Sequence, residues 1–202
     1  MGLPKIGQGA RAASPPRAPR AARVTPGAPL PILGTMRLIA LDPALRNSGY
    51  ALLERDSGRV RALDFGVIRN EAALCMSLCL VEIHRQVGAL IERYRPELCA
   101  VESVIFVQNS RTAVTLGAAR GSALLAVAQR GLLIYEYPPK RVKQAVVGRG
   151  NAQKDQVSFM VRALLGLEQT PDSDAADALA IGLTHFQMQA TPHALVGAYR
   201  NI

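Results

Sequence analysis

Asp42, Glu102, Asp174 and Asp177 are the side chains whose type and spacing suit hydrolytic chemistry. Asp42 closes the apolar run Arg37 to Leu41, and Glu102 directly follows Leu98-Cys99-Ala100-Val101. Each therefore stands at the C-terminal end of a predicted buried strand. Asp174 and Asp177 are three residues apart at the start of a predicted last helix, a spacing that turns both to one side. Four clustered carboxylates repel one another unless cations are present. Two Mg²⁺ ions would balance them, and a pair about 4 Å apart is the arrangement that activates a water and stabilises the leaving oxygen in phosphodiester hydrolysis. Taken singly, each acid also has a plainer explanation. An Asp before Pro starts turns, and acids in a first helical turn complement the helix dipole. Glu102 and Asp177 fit that explanation poorly, because Glu102 adjoins a buried run and Asp177 is flanked by Ala175, Ala176, Ala178, Leu179, Ala180 and Ile181. A carboxylate in such surroundings needs compensation.

The elements that must carry these acids follow from periodicity and punctuation. After the strand ending at Asp42, strand-like runs near 49–54 and 60–68 flank Asp56-Ser57-Gly58, a hairpin signal. From about residue 71, Leu80, Ile83, Val87, Leu90, Ile91 and Tyr94 recur at helical spacing until Arg95-Pro96 stops them. A strand from Leu98 to Val101 precedes an Ala- and Gly-rich helix near 110–129. A strand from Leu132 to Tyr137 is then closed by Pro138-Pro139. Helices are predicted near 140–146, 152–165 and 173–188. The order predicts an α/β fold: a mixed five-stranded sheet, three antiparallel strands and then parallel ones, with helices on both faces.

Composition narrows the function classes. Of the 24 Lys and Arg, five (Lys5, Arg11, Arg17, Arg20, Arg23) lie in residues 1–35, which contain no acid, and the remaining 19 against 15 acids leave +4. Residues 1–35, rich in Pro and Ala, are expected to be a disordered basic extension, through a mis-assigned start at Met36, a leader or a DNA-binding arm. Residues 36–188 are expected to form the catalytic domain and 189–202 a C-terminal tail. Cys75, Cys79 and Cys99 have no paired-ligand spacing and are read as reduced core residues of a cytoplasmic protein. No apolar run approaches the roughly 18 residues of a membrane span. Lys140, Arg141, Lys143, Arg149 and Lys154 fall in a 15-residue window that ends just before Asp155. Alone they are an ordinary solvated face; beside a carboxylate cluster they are candidates to neutralise phosphates.

Four segments together resemble one family: LDPALRNSGYALL (41–53), AVESVIFVQNSRTAVTLGAARG (100–121), YPPKRVKQAVVGRGNAQKDQV (137–157) and DSDAADALAIGLTH (172–185). In order and spacing they are similar to the signature segments of the RuvC family of Holliday-junction resolvases, within the RNase H-like superfamily, over roughly 36–188. The resemblance implies that Asp42, Glu102, Asp174 and Asp177 are the metal-binding catalytic tetrad, holding two Mg²⁺, with Mn²⁺ as an alternative. It implies a homodimer that nicks two strands of a four-way junction symmetrically, leaving 5′-phosphates, in recombination and repair beside the branch-migration complex RuvA and RuvB. By the resemblance Lys143 and Lys154 match family lysines implicated in DNA contact or catalysis, and Arg149 and Arg111 are expected as further DNA contacts. This chain has Asp42-Pro43-Ala44 where the family usually has Asp-Pro-Gly, and Ile105-Phe106 where two adjacent aromatics are common. Phe106 is therefore the residue expected to stack on bases, with an ordinary core or dimer-interface side chain as its plainer reading. His84 and His185 are weighed as general bases and read instead as structural. The rival functions are an actin-like ATPase, which needs a second Gly-rich phosphate segment not found here, a non-catalytic DNA-binding module, and a nuclease of RNA–DNA hybrids.

Overall fold

Alternation along two central strands decides which way each carboxylate faces. In a computed structural model, which describes residues 34–104, 109–190 and 200–201, β1 (Met36–Asp42) and β4 (Leu98–Glu102) run side by side in parallel at the centre of one sheet. The other strands are β2 (Asn47–Asp56), β3 (Arg59–Arg69), β5 (Leu133–Tyr137) and β6 (Arg200–Asn201), and the sheet order is β3-β2-β1-β4-β5-β6. β1, β2 and β3 are antiparallel, β1, β4 and β5 are parallel, and β6 pairs antiparallel at the edge. The predicted five strands are all present. The two-residue β6 is an addition, formed by part of the segment expected to be a tail.

The helices are α1 (Met76–Tyr94), α2 (Ser110–Ala128), α3 (Pro139–Val147), α4 (Lys154–Leu165) and α5 (Ser173–Ala190). α1 and α2 cover one face. Ile83, Val87 and Ile91 of α1 and Ala119, Ala123 and Ala126 of α2 form one core with Ile39, Leu41, Cys99, Val101 and Ile134 of the sheet. Burying each large aliphatic side chain contributes roughly 1.5–3 kcal/mol. α5 covers the other face, with α3 and α4 packed against it. A Cβ on Gly182 would lie 2.3 Å from Leu53 and 3.3 Å from Ala40 and Leu38, so this glycine lets α5 settle directly on β1 and β2.

Local signals account for the element ends. The β2–β3 turn places Ser57 and Gly58 at φ 50° and 81°, the left-handed geometry that a tight hairpin turn requires. α1 stops at Arg95, whose φ of 50° and N–H bond to the Ile91 carbonyl (2.8 Å) end the helix before Pro96. α1 begins later than the expected residue 71, because Glu71 to Leu74 close a turn of their own, Leu74 N to Glu71 O at 3.0 Å. Cys79 and Cys99 are core residues as expected; Cys75 is not, since it lies exposed at the N-cap of α1. No described helix is long and apolar enough to cross a membrane. The expectations for residues 1–33 and for Ile105 and Phe106 fall outside the described residues.

Candidate active site

Asp42 and Glu102 are turned to the same side of the sheet by strand parity. Ile39 and Leu41 on β1, with Cys99 and Val101 on β4, point into the α1–α2 core. Their alternates, including Asp42 and Glu102, face α5. Asp174 occupies the first turn of α5 and Asp177 the second. The approach of that helix depends on Gly49, which pairs with Asp42 across β1 and β2. A Cβ there would stand 1.9 Å from the Asp174 carbonyl oxygen, so only glycine admits the first turn of α5 beside Asp42.

The electrostatics show that the acids sense one another. The Asp42 carboxyl is pushed up to about 6, first by burial and then by Asp177 and Asp174, against the opposing pull of Lys154 and Arg120. Glu102 is pushed up to about 7 by burial, then by Asp42 and Asp177, while Lys143 and Lys154 draw it down. Asp177 is half-buried and is paired with Lys154, whose Nζ donates to Asp177 Oδ2 at 3.1 Å. That contact holds the ammonium in its charged form, raising its pKa. Lys143 and Lys154, from α3 and α4, are thus brought to the acids. Arg111 and Arg149 are not: both are exposed, in the first turn of α2 and in the α3–α4 loop, with no bond to a carboxylate among the described residues.

Among the described residues, no three His, Cys, Asp or Glu side chains converge on one point as a ready-made ion site. The donor set nevertheless fits a hard divalent cation. It is all carboxylate oxygen, and Asp42 and Glu102 are pushed up first by burial and then by neighbouring carboxylates, a charge that such an ion would offset. Neither histidine belongs to the site. His84 Nε2 meets Gln129 Oε1 at 2.8 Å between α1 and α2. His185 is buried on α5 with Nδ1 2.7 Å from the Tyr137 hydroxyl. Its Nε2 has no partner among the described residues. Burial, and then the charge of Arg55, lower it to about 3, and it stays neutral.

Two contributors escape a reading by sequence. Gly49 looks like an ordinary turn glycine until α5 is placed on it. Arg120 sits in the middle of the Ala- and Gly-rich helix, and only the fold brings its guanidinium to the Glu102 carbonyl and to Glu136.

The crossover junction endodeoxyribonuclease RuvC family matches residues 38–185, from β1 through most of α5, with all four acids inside the match. The chain belongs to this family. RuvC of Akkermansia muciniphila is 55% identical over 150 residues, 74% of this chain and 90% of the relative. RuvC of Syntrophomonas wolfei is 43% identical over 151 residues, 74% of this chain and 88% of the relative. The solved structure of T. thermophilus RuvC in complex with Holliday junction substrate aligns with a TM-score of 0.72 at 35% identity, over 77% of this chain and 96% of that one. The sheet order and flanking helices described above are accordingly the RNase H-like α/β fold, and the enzyme class is that of the metal-dependent crossover junction endodeoxyribonucleases.

Proposed function

We propose that this chain resolves four-way DNA junctions in recombination and repair, hydrolysing phosphodiesters at a site built from Asp42, Glu102, Asp174 and Asp177. The observation that carries the reading is that strand parity and the first two turns of α5 put the acids of β1, β4 and α5 on one face of the sheet, with Lys154 of α4 bonded to Asp177. Asp42, Glu102, Asp174 and Asp177 would hold two divalent ions, Mg²⁺ or Mn²⁺. When bound, such ions lower the pKa of an attacking water and stabilise charge on the leaving oxygen. The residues around them do the remaining work. Lys154, tied to Asp177 and 68% exposed at its side chain, can turn outward to a phosphate. Lys143 lies close enough to Glu102 to oppose its charge and would bind a neighbouring phosphate. Arg149 and Arg111 extend the basic surface, and Phe106 would stack on a junction base.

Symmetric nicking calls for a homodimer, and α2 offers the surface for one. The helix face opposite the core consists of Val114, Gly117, Gly121, Leu125 and Ala128, all exposed and all uncharged. A Cβ at Gly117 or Gly121 would meet nothing within 4 Å among the described residues, so a second helix has room for close approach. The family resemblance adds action beside RuvA and RuvB, in the cytoplasm. The test is cleavage of a labelled synthetic four-way junction, a linear duplex and an RNA–DNA hybrid, with Mg²⁺ and with chelator. Paired symmetric nicks in the junction alone, dependent on Mg²⁺, are expected. Cleavage of the hybrid, or of nothing, would leave the fold without this function.

A further inference from the structure

Arg120 reaches the site from the wrong side of the sheet. It belongs to α2, its side chain is only 13% exposed, and it packs beneath the strands whose opposite face carries the acids. Its Nη1 donates to the main-chain carbonyl of Glu102 at 2.6 Å, and its Nη2 to the carboxylate of Glu136. Glu136 pairs with Val101 in the β4–β5 ladder and shares its face, whereas Glu102 pairs with Tyr137 and turns its carboxyl toward α5. One guanidinium therefore spans the ends of two adjacent strands, at the residue where β4 delivers its acid.

The ladder reaches only one residue past Glu102. Its final rung is Ser103 N to Tyr137 O at 2.9 Å. The next two residues of the partner strand are Pro138 and Pro139, which have no N–H to offer. We infer that Arg120 is a positioning residue for the nuclease reaction, fixing the backbone of Glu102 from behind so that its carboxylate stands ready for a cation beside Asp42. The planar fork of arginine donates to two acceptors in fixed directions, which a lysine ammonium does not reproduce. Glu136 completes the device by neutralising the guanidinium and aiming it. This inference rests on the reading of Glu102 as a cation ligand.

Truncating Arg120 alone would leave Glu136 poorly solvated and unpaired, a folding defect in itself. The test therefore uses the double variant Arg120→Met/Glu136→Gln, which removes both charges, alongside Arg120→Lys and Glu102→Gln in the full chain. Three quantities are read: single-turnover junction cleavage, junction affinity in chelator, and the Mn²⁺ concentration that half-maximally raises Tm without DNA. The double variant should bind the junction within about twofold of the parent, cleave it roughly 10–100-fold more slowly, and need about tenfold more Mn²⁺, the usual scale for losing the support of a ligand. Arg120→Lys should fall between. A double variant that cleaves and responds to Mn²⁺ like the parent overturns the inference, as does one that loses junction binding and cleavage in parallel. If Glu102→Gln itself cleaves normally, the reading of the site falls, and the role of Arg120 falls with it.

Discussion

Asp42 sits among three other acids in a partly buried site, and its raised value has a thermodynamic cost. Its folded-state value of about 6 lies above the ordinary 3.8. The stability linked to the protonated carboxyl is present below about pH 4 and is lost as pH rises through 6. Without divalent ions, Asp42→Asn should therefore make the protein more stable at pH 7, by about 1–3 kcal/mol, while abolishing cleavage. Urea denaturation in chelator at pH 7 and pH 4 checks this, since the gain should shrink at the lower pH. A less stable Asp42→Asn protein at pH 7 would mean that the carboxylate is held by contacts and not strained by its neighbours. Asp177 is held differently, by Lys154. Asp177→Asn should abolish cleavage while leaving junction binding in chelator intact, because it removes a proposed ligand and spares the basic surface. Filter binding and cleavage on the same preparation separate the two, and equal loss of both would point to a structural role.

At the scale of elements, α5 is the part whose seating matters most, and Gly49 is where it rests. Gly49→Ala forces a methyl group against the Asp174 carbonyl. It should cost at least about 1–3 kcal/mol, as overpacking does, and should slow cleavage by displacing the first turn of α5. Thermal unfolding with a single-turnover assay measures both; a variant indistinguishable from the parent would show that this turn can retreat freely. The strands were legible in the sequence because β1 and β4 are short apolar runs with an acid at the end, and period two then assigns the face of Asp42 and Glu102. The hairpin was legible from Asp56-Ser57-Gly58. The start of α1 was not, because the turn at Glu71 to Leu74 is made by backbone bonds that periodicity does not report. Gly49, Arg120 and the Lys154–Asp177 contact were also hidden, since each depends on elements far apart in the chain meeting across the sheet. The exposure of Cys75 is not legible from its apolar neighbours, because Leu74 is half-buried in the turn before α1 and Met76, the first residue of the helix, is exposed.

The whole molecule places its proposed chemistry and its proposed assembly on opposite faces of one sheet. Leu125→Glu, on the outer face of α2 at 53% exposure, should leave the fold intact and shift the proposed dimer to monomer. Analytical ultracentrifugation reads that directly, and junction assays should then show single, unpaired nicks. A dimer that survives the change would move the interface elsewhere. The two-sided layout also governs how the sequence can vary. Distant sites without shared partners combine additively, so substitutions on the α2 surface and around α5 should accumulate as independent histories, each lineage remodelling one side without renegotiating the other. Residue 120 breaks that independence, because it is rooted on one side and bonded to the end of a strand that serves the other. Changes that reseat α2 for a new partner should therefore be felt in cutting rate first through this single arginine.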